Sequence, residues 1–326
     1  MENKIRKILR YISGAGIKYG IYGLKYRFDS DIDYSKKKYG KKKFIYKKIK
    51  RTVKQYKKYE KYPKLRINDK NKKNLEKFPV WVCWFQGIEQ APEMVKICVE
   101  SIYRNIGENA QVNIITFDNI DEYIDIPNFI KRKLEKGNIT LTQYSDIVRF
   151  ALLSKYGGFW IDSTILVTSS IENLCNYEYY TKKSDRLEPN FGNYLIQGRF
   201  TLHLNKGDNK NILYNFIYDA FLEYYKKMNI SVDYFLALFF VDIAYEYIPK
   251  CRKMIDDLEY NDRGLESRLC ENLNKEYSKD EFEIYCKNMP FQKLSYKLKE
   301  FKEKTEDGKI TFYGMIKKNY ELFMNK

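Results

Sequence analysis

One segment, residues 141–167 (LTQYSDIVRFALLSKYGGFWIDSTILV), constrains the fold more than any other part of the 326-residue chain. Its first half carries an apolar stripe at the spacing of an amphipathic helix, formed by Ile147, Val148, Ala151 and Leu152. Thr142 or Ser145 is a candidate cap for the start of this helix. Gly157 and Gly158 end it, because glycine can adopt the backbone angles that close a last helical turn.

A short apolar run and then an acidic residue follow the two glycines. Phe159, Trp160 and Ile161 are typical of a buried strand, and Asp162 comes directly after them. Ligands of open α/β sheets bind at the carboxyl ends of the strands, so Asp162 is a candidate site residue. The alternative is that Asp162 only caps a turn.

Two further stretches predict strands of the same sheet. Val80–Gly87 (VWVCWFQG) is typical of a first buried strand that ends in a turn, and Pro92 then begins a helix. Val112–Phe117 (VNIITF) has the period of a second strand, with Asp118 and Asn119 as secondary site candidates at its end.

Together these features resemble the SDxxR and YGGxxxD signature of glycosyltransferases that carry a DxD motif, here Ser145, Asp146, Arg149, Tyr156, Gly157, Gly158, Trp160 and Asp162. Over roughly residues 78 to 300 the chain is similar to the capsular polysaccharide synthesis branch of that group, with support from 80–95 and 292–297. Related toxin glucosyltransferases share the spacing of Asp146 and Asp162. The resemblance implies a GT-A type, Rossmann-like α/β fold with a mixed central sheet, helical additions and a basic N-terminal arm.

The resemblance also implies a reaction and its residues. The chain would move a sugar from a nucleotide-sugar donor, a UDP-sugar, with retention, and Asp146, Arg149 and Asp162 would be catalytic. Asp146 would accept hydrogen bonds from donor-sugar hydroxyls, and Arg149 would contact the sugar or the diphosphate. Further donor-binding residues would be Trp84, Gln86, Gly87, Gly158, Ser163, Thr164, Lys293 and Lys297. Two alternatives stay open: Asp146 and Arg149 could form a simple surface pair, and Trp84 could belong to the core.

A divalent cation is part of the same expectation. Mn²⁺ or Mg²⁺ would stabilise the charge of the leaving diphosphate, because both prefer carboxylate and phosphate oxygens. The chain departs from a full DxD motif, since Asp162 is followed by Ser163 and Thr164. Asp162 and Thr164 are therefore the candidate ligands, and the uncharged threonine predicts weaker binding or help from another carboxylate.

The acceptor would be a lipid-linked oligosaccharide of surface polysaccharide assembly. Asp233, Tyr234 and Asp242 would approach it or supply the missing ligand, although they could equally cap helices. A competing hypothesis is a catalytically inactive glycan- or nucleic-acid-binding protein of the same fold.

The positive charge is concentrated in residues 1–78, which hold 27 lysines and arginines against seven acidic residues. Residues 79–326, the predicted catalytic domain, hold 33 lysines and arginines against 36 acidic residues. The pattern over residues 1–27 predicts an interfacial helix on an anionic membrane, so we expect a peripheral protein on the cytoplasmic face. A solvated lysine surface is the alternative. Nucleic acid is not expected, because no known nucleic-acid-binding motif accompanies the charge. Asp29, Asp31 and Asp33 mimic DxD motifs but follow no strand.

Other residue types narrow the chemistry. The six cysteines have no CxxC spacing, as expected for reduced thiols in a cytosol. His203 is the only histidine and has no evident nucleophile partner in the sequence. Residues 211–227 and 232–248 predict helices, and the apolar run within the second is too short and too charged to span a bilayer.

Overall fold

The fold is known from a computed structural model, which describes residues 12–14, 16, 34–58, 75–177, 179–183, 200–203, 212–259, 266–287 and 289–324. Its α-helices are α1 (Tyr34–Lys58), α2 (Glu93–Asn105), α3 (Ile120–Tyr123), α4 (Asn128–Glu135), α5 (Leu141–Tyr156), α6 (Ile212–Lys227), α7 (Leu236–Tyr247), α8 (Pro249–Asp256), α9 (Arg268–Asn272), α10 (Lys279–Cys286) and α11 (Phe312–Met324). Its strands are β1 (Phe78–Cys83), β2 (Ala110–Ile115), β3 (Gly158–Ile161), β4 (Ile165–Val167), β5 (Tyr179–Thr181), β6 (Phe200–His203) and β7 (Phe291–Lys293). Asp29, Asp31, Asp33 and most of the predicted interfacial helix lie outside the described residues.

The central sheet has five strands in the order β2-β1-β3-β6-β5. Strand β1 pairs in parallel with β2 and β3, whereas β6 is antiparallel to both β3 and β5. The sheet is therefore mixed, as predicted, and its three parallel strands make the α/β fold compatible with a Rossmann-like architecture. Because those strands run the same way, their carboxyl ends at Cys83, Ile115 and Ile161 share one edge.

Both faces of this sheet are covered, which explains why the strands are apolar on both sides. Trp81 and Trp160 lie in the core on the side of α1, α5, α6 and α7. The alternate residues of the same strands pack on the other side with α2 and the second sheet: Val80, Val82, Phe159 and Ile161. The first strand spans Phe78–Cys83, so it begins and ends before the predicted limits of Val80 and Gly87, although the N–H of Trp84 still donates to the carbonyl of Ile115 at 3.0 Å.

Helix α5 holds the segment that the sequence singled out. Its cap is Thr140 rather than Thr142 or Ser145, because the side chains of Thr140 and Gln143 each accept from the other's backbone N–H in a capping box. The predicted stripe of Ile147, Val148, Ala151 and Leu152 is buried. Gly157 and Gly158 follow with φ angles of 70° and 91°.

Gly158 is required for close packing of two strands. A Cβ at this position would lie 2.3 Å from the backbone oxygen of Pro79 in β1, and its φ angle is one that other residues rarely adopt. The glycine thus lets β3 begin directly beside β1.

A second sheet of two antiparallel strands, β4 and β7, lies beside the carboxyl edge. Ile165 pairs with Lys293, and the N–H of Leu294 donates to the carbonyl of Thr164 at 2.9 Å. This pairing brings two segments that are far apart in sequence to the end of β3.

Helix α1 belongs to the predicted basic arm but packs against α6 and α7. Its buried residues, Ile45, Ile49, Val53 and Tyr56, are part of the same core as α5 and α6. The Tyr56 hydroxyl donates to Asp219 at 2.8 Å. The predicted division of the chain into 1–78 and 79–326 stays a prediction. Within the described residues, no helix combines the length and apolar character needed to cross a bilayer.

Candidate functional site

A cavity of about 730 Å³ opens at the carboxyl edge of the parallel strands. Nine residues predicted from the sequence to bind donor, metal or acceptor line it: Trp84, Gln86, Arg149, Asp162, Ser163, Thr164, Tyr234, Lys293 and Lys297. They come from the end of β1, from α5, from the turn after β3, from the segment before α7 and from β7 with its following turn. The fold therefore gathers at one site residues that are up to 213 positions apart.

Asp162 is the centre of a hydrogen-bonded network at the end of β3. Arg149 Nη2 donates to Asp162 Oδ1 at 2.9 Å, and Trp160 Nε1 donates to the same oxygen at 2.8 Å. On the other side, Lys293 Nζ lies 3.5 Å from Asp162 Oδ2. Two cations and one neutral donor thus surround the Asp162 carboxyl group.

Arg149 connects Asp162 to Asp146, which lies one helical turn before Arg149 on α5. Its Nη1 lies 3.1 Å from Asp146 Oδ1, so the predicted pairing of Asp146 and Arg149 exists. It is not an exposed pair, because only 9% of the Arg149 side chain is exposed. The guanidinium also lies 4.9 Å from the ring centre of Trp160, and its Nε atom has no hydrogen-bond partner among the described residues.

Asp146 lies behind Arg149 rather than in the lining of the cavity. Burial raises the pKa of its carboxyl group to about 6, the positive charge of Arg149 opposes this rise, and the negative charge of Asp162 adds to it. Asp146 therefore changes charge near neutral pH and can control the charge balance around Arg149.

Lys293 lies between the two residues predicted to bind a metal. Its Nζ donates to Thr164 Oγ1 and also faces Asp162 Oδ2. Thr164 is buried, whereas 26% of the Lys293 side chain is exposed, so the ammonium group has access to the cavity. A positive charge is thereby fixed at the end of β3.

This arrangement does not fit a divalent cation held by Asp162 and Thr164. Asp162 and Thr164 together offer only one carboxylate. The Lys293 ammonium group already lies between Asp162 Oδ2 and Thr164 Oγ1. In the part of the chain that the structure describes, no group of three or more His, Cys, Asp or Glu side chains could hold a metal. The expected Mn²⁺ or Mg²⁺ dependence stays a prediction that this geometry does not support.

Aromatic side chains line the cavity beside the cations. The rings of Trp84 and Tyr296 meet edge to face with centres 5.5 Å apart, and the Lys297 ammonium lies 5.5 Å from the Tyr296 ring centre. Such rings can pack against a nucleobase or a sugar ring while the lysine reaches a phosphate. Trp84 is half-buried and faces the cavity, although it also contacts the core.

Cys83 is a poor nucleophile despite its place in the cavity lining. Burial raises the pKa of its thiol to about 12, and a hydrogen bond with Ser145 opposes that rise only in part. The thiol is therefore protonated at neutral pH.

Asp118 and Asn119 after β2, and four other predicted residues, lie outside the cavity lining. Gly87 directly follows Gln86 in the turn after β1. Gly158 is the first residue of β3, whereas Asp162 follows the last one. Asp233 forms an ion pair with Lys41 of α1. Asp242 is 3.0 Å from Lys42 of the same helix. The two aspartates are held by lysines of α1, so neither is positioned to meet an acceptor in this cavity.

Sequence reasoning missed three contributions to the site. Trp160 was predicted as a strand residue within the signature and was given no role in the site, yet its indole N–H donates to Asp162. Ser267 and Glu271 line the cavity from the start of α9. No local motif marks these two residues, because only the tertiary fold places α9 beside β7.

The fold and the site together define an α/β protein with a cationic, aromatic-lined cavity around a strand-end aspartate. A family model described as capsular polysaccharide synthesis protein matches residues 26–316, and the chain belongs to this family. This confirms the resemblance found in the sequence. The chain is also similar to the O-glycosyltransferase braB of Annulohypoxylon truncatum, with 26% identity over 104 residues, or 29% of this chain and 25% of that protein. The chain thus matches about a quarter of the length of this curated relative. No solved structure matches the chain significantly.

Proposed function

We propose that the protein is a GT-A type glycosyltransferase that moves a sugar from a UDP-sugar to a lipid-linked oligosaccharide in capsular or surface polysaccharide synthesis. The observation that carries this proposal is the position of Asp162 at the carboxyl end of β3, within a cavity that also presents Arg149 and Lys293. Family membership and the glycosyltransferase name of the distant relative support the same reaction class.

Each group has a role in this proposal. In the proposed reaction, Arg149 and Lys293 bind the diphosphate and stabilise the charge that grows on it as the glycosidic bond breaks. Asp162 keeps both cations in position. Asp146 accepts a donor-sugar hydroxyl when ligand binding brings it within reach, and Trp84 packs against the base. Retention of the anomeric configuration follows from the resemblance.

Association with an anionic membrane is the second part of the proposal. The exposed face of α1 carries lysines at helical spacing, opposite the residues that enter the core: Lys43, Lys47, Lys50 and Lys54. Each lysine near an anionic surface adds about 1 kcal/mol of attraction at most. Such a face would hold the enzyme at the inner side of the cell membrane, where a lipid-linked acceptor is found.

The test is donor turnover by the purified protein. A panel of nucleotide sugars is offered, and release of nucleoside diphosphate is measured for the parent, for Asp162→Asn and for Asp121→Asn. Asp121 is the matched control because it is an exposed carboxylate that pairs with Lys131 at 2.7 Å and does not line the cavity.

We expect one donor to turn over, Asp162→Asn to lose about 10²- to 10³-fold in kcat, and Asp121→Asn to behave as the parent. If no donor is turned over although the protein binds glycan or nucleic acid, the transferase proposal is wrong and an inactive binding protein replaces it.

A further inference from the structure

The most unusual feature of the cavity is the location of one ammonium group. Lys293 Nζ donates to Thr164 Oγ1 and lies 3.5 Å from Asp162 Oδ2. These are the two oxygens that a divalent cation would need. A fixed organic cation therefore lies where the sequence predicts a metal ion.

The main chain holds this lysine in place on both sides. Lys293 is the residue of β7 that pairs with Ile165 of β4, and its N–H donates to the carbonyl of Glu266 at 2.7 Å. The following residue, Leu294, donates to the carbonyl of Thr164 at 2.9 Å. The Lys293 side chain consequently begins next to Thr164, so its ammonium group reaches the two oxygens without a long mobile segment.

The surroundings leave the lysine accessible to a ligand, since 26% of its side chain is exposed. Asp162 is the counter-ion of both Lys293 and Arg149, and Arg149 also pairs with Asp146, so these four side chains carry about +1 when Asp146 is protonated and about zero when it is ionised. The lining as a whole presents three cations, Arg149, Lys293 and Lys297, against the carboxylates of Asp162 and Glu271, and this excess of positive charge favours an anion. A diphosphate is an anion that matches such paired cations.

We propose that the Lys293 ammonium group replaces the divalent cation in stabilising the departing nucleoside diphosphate, so that sugar transfer proceeds without a metal. The inference rests on the proposed transferase function. In the step itself, an acceptor hydroxyl oxygen forms a bond to the anomeric carbon. The bond from that carbon to the β-phosphate oxygen breaks, its electron pair stays on the phosphate, and the hydroxyl proton is released to solvent. Lys293 and Arg149 balance the charge that the phosphate gains.

The parent protein gives the direct test, because it requires no substitution. Nucleoside diphosphate release is measured after dialysis against EDTA, with residual metal quantified, and again after addition of Mn²⁺ or Mg²⁺. We expect the two rates to agree within about twofold. Loss of turnover in EDTA with recovery on addition of either ion would overturn the proposal.

Substitutions then assign the effect to Lys293. In EDTA, we expect Lys293→Met to lower kcat by about 10²-fold and Lys293→Arg to keep more activity than Lys293→Met, because it retains the charge. The matched control is Lys309→Met, since Lys309 is an exposed lysine paired with Glu276 and lies outside the cavity lining. Thermal unfolding of each variant shows whether it is folded. A folded Lys293→Met protein with the kcat of Lys309→Met would contradict the proposal.

A separate measurement distinguishes failure of this inference from failure of the proposed function. UDP binding is measured by calorimetry in EDTA for the parent and for Lys293→Met. Turnover that requires a metal would overturn only the role of Lys293 as the cation. Absence of both turnover and UDP binding, in EDTA and with metal, would overturn the proposed function and this inference with it.

Discussion

Two groups of charged side chains in the molecule have similar chemistry but different surroundings. The cavity network consists of Asp146, Arg149, Asp162 and Lys293 at the end of β3. The helix network joins α1 to α7 and the segment before it, through Lys41, Lys42, Asp233, Asp242 and Glu246. Each contains an aspartate beside a cation. Only the cavity network has cations in the lining of a cavity large enough for a nucleotide sugar.

The contrast shows that an aspartate must be judged by what surrounds it in the fold. Asp242 is almost fully buried, with 2% of its side chain exposed, and Lys42 lies 3.0 Å from it. Asp162 has 22% of its side chain exposed and faces a cavity together with two cations. The helix network therefore attaches α1 to the core, whereas the cavity network presents the cations Arg149 and Lys293 to the cavity.

The largest effect should come from removing the central cation of the cavity network. Arg149→Met should lower kcat by about 10²- to 10³-fold, because the guanidinium orients Asp162 and would contact the diphosphate in the proposed reaction. Arg149→Lys should also be impaired, since an ammonium group cannot reproduce the fork that contacts Asp146 and Asp162. Nucleoside diphosphate release measures both variants.

The matching change in the helix network is Lys42→Met. It should lower the free energy of unfolding by about 3 kcal/mol, because buried Asp242 loses a cationic partner. Turnover at a temperature where the variant is folded should stay within about twofold of the parent. Denaturant unfolding tests the expected loss of stability, and donor turnover tests the expected activity. A folded Lys42→Met protein that is inactive would contradict the division into two networks.

The next effect concerns pH. Burial raises the pKa of Asp146 to about 6, so the ionised form needed to accept a sugar hydroxyl is lost below that pH. We expect kcat/KM for the donor to fall about tenfold per pH unit below pH 6, and Asp146→Asn to have a lower but flat profile in that range. An unchanged acid limb in Asp146→Asn would assign the titration to another group.

The raised pKa of Asp146 also makes the free energy of unfolding depend on pH. The folded pKa of about 6 is above the ordinary value of 3.8, so the folded state binds this proton more tightly than the unfolded state. The stabilising contribution of Asp146 is therefore complete below pH 4 and is lost as the pH rises through 6. Asp146→Asn should remove this part of the pH dependence in denaturant unfolding.

Local sequence pattern predicted the cavity network in part because α5, the two glycines and β3 are adjacent in the chain. Helical spacing placed Asp146 and Arg149 on one side, and the apolar run of β3 placed Asp162 at its end. The mixed sheet was expected from the family resemblance, whereas its antiparallel strands β5 and β6 were not predicted from local pattern. The cap at Thr140 was missed although Thr140 and Gln143 have the spacing of a capping box in the sequence.

Contacts between distant segments could not be predicted in this way. Lys293 and Thr164 are 129 residues apart, and their contact depends on the pairing of β4 with β7. Lys41 and Asp233 are 192 residues apart and meet only because α1 packs beside α7. The sequence pattern shows a lysine cluster and an aspartate, but not which of them become partners.

The smallest predicted effect separates two neighbouring residues that belong to different regions. Tyr234 lines the cavity and is 62% exposed, whereas Asp233 pairs with Lys41 and accepts a hydrogen bond from the N–H of Phe235 at 2.8 Å. Tyr234→Ala should raise the KM for the acceptor about threefold to tenfold with little change in stability, because an exposed ring at the site loses contact with substrate but leaves no hole in the core.

Asp233→Asn should keep the KM of the parent and lower the free energy of unfolding by about 1 kcal/mol or less. Acceptor titrations at saturating donor measure both variants. An acceptor KM that rises for Asp233→Asn and not for Tyr234→Ala would place the acceptor on the side of the helix network instead of in the cavity.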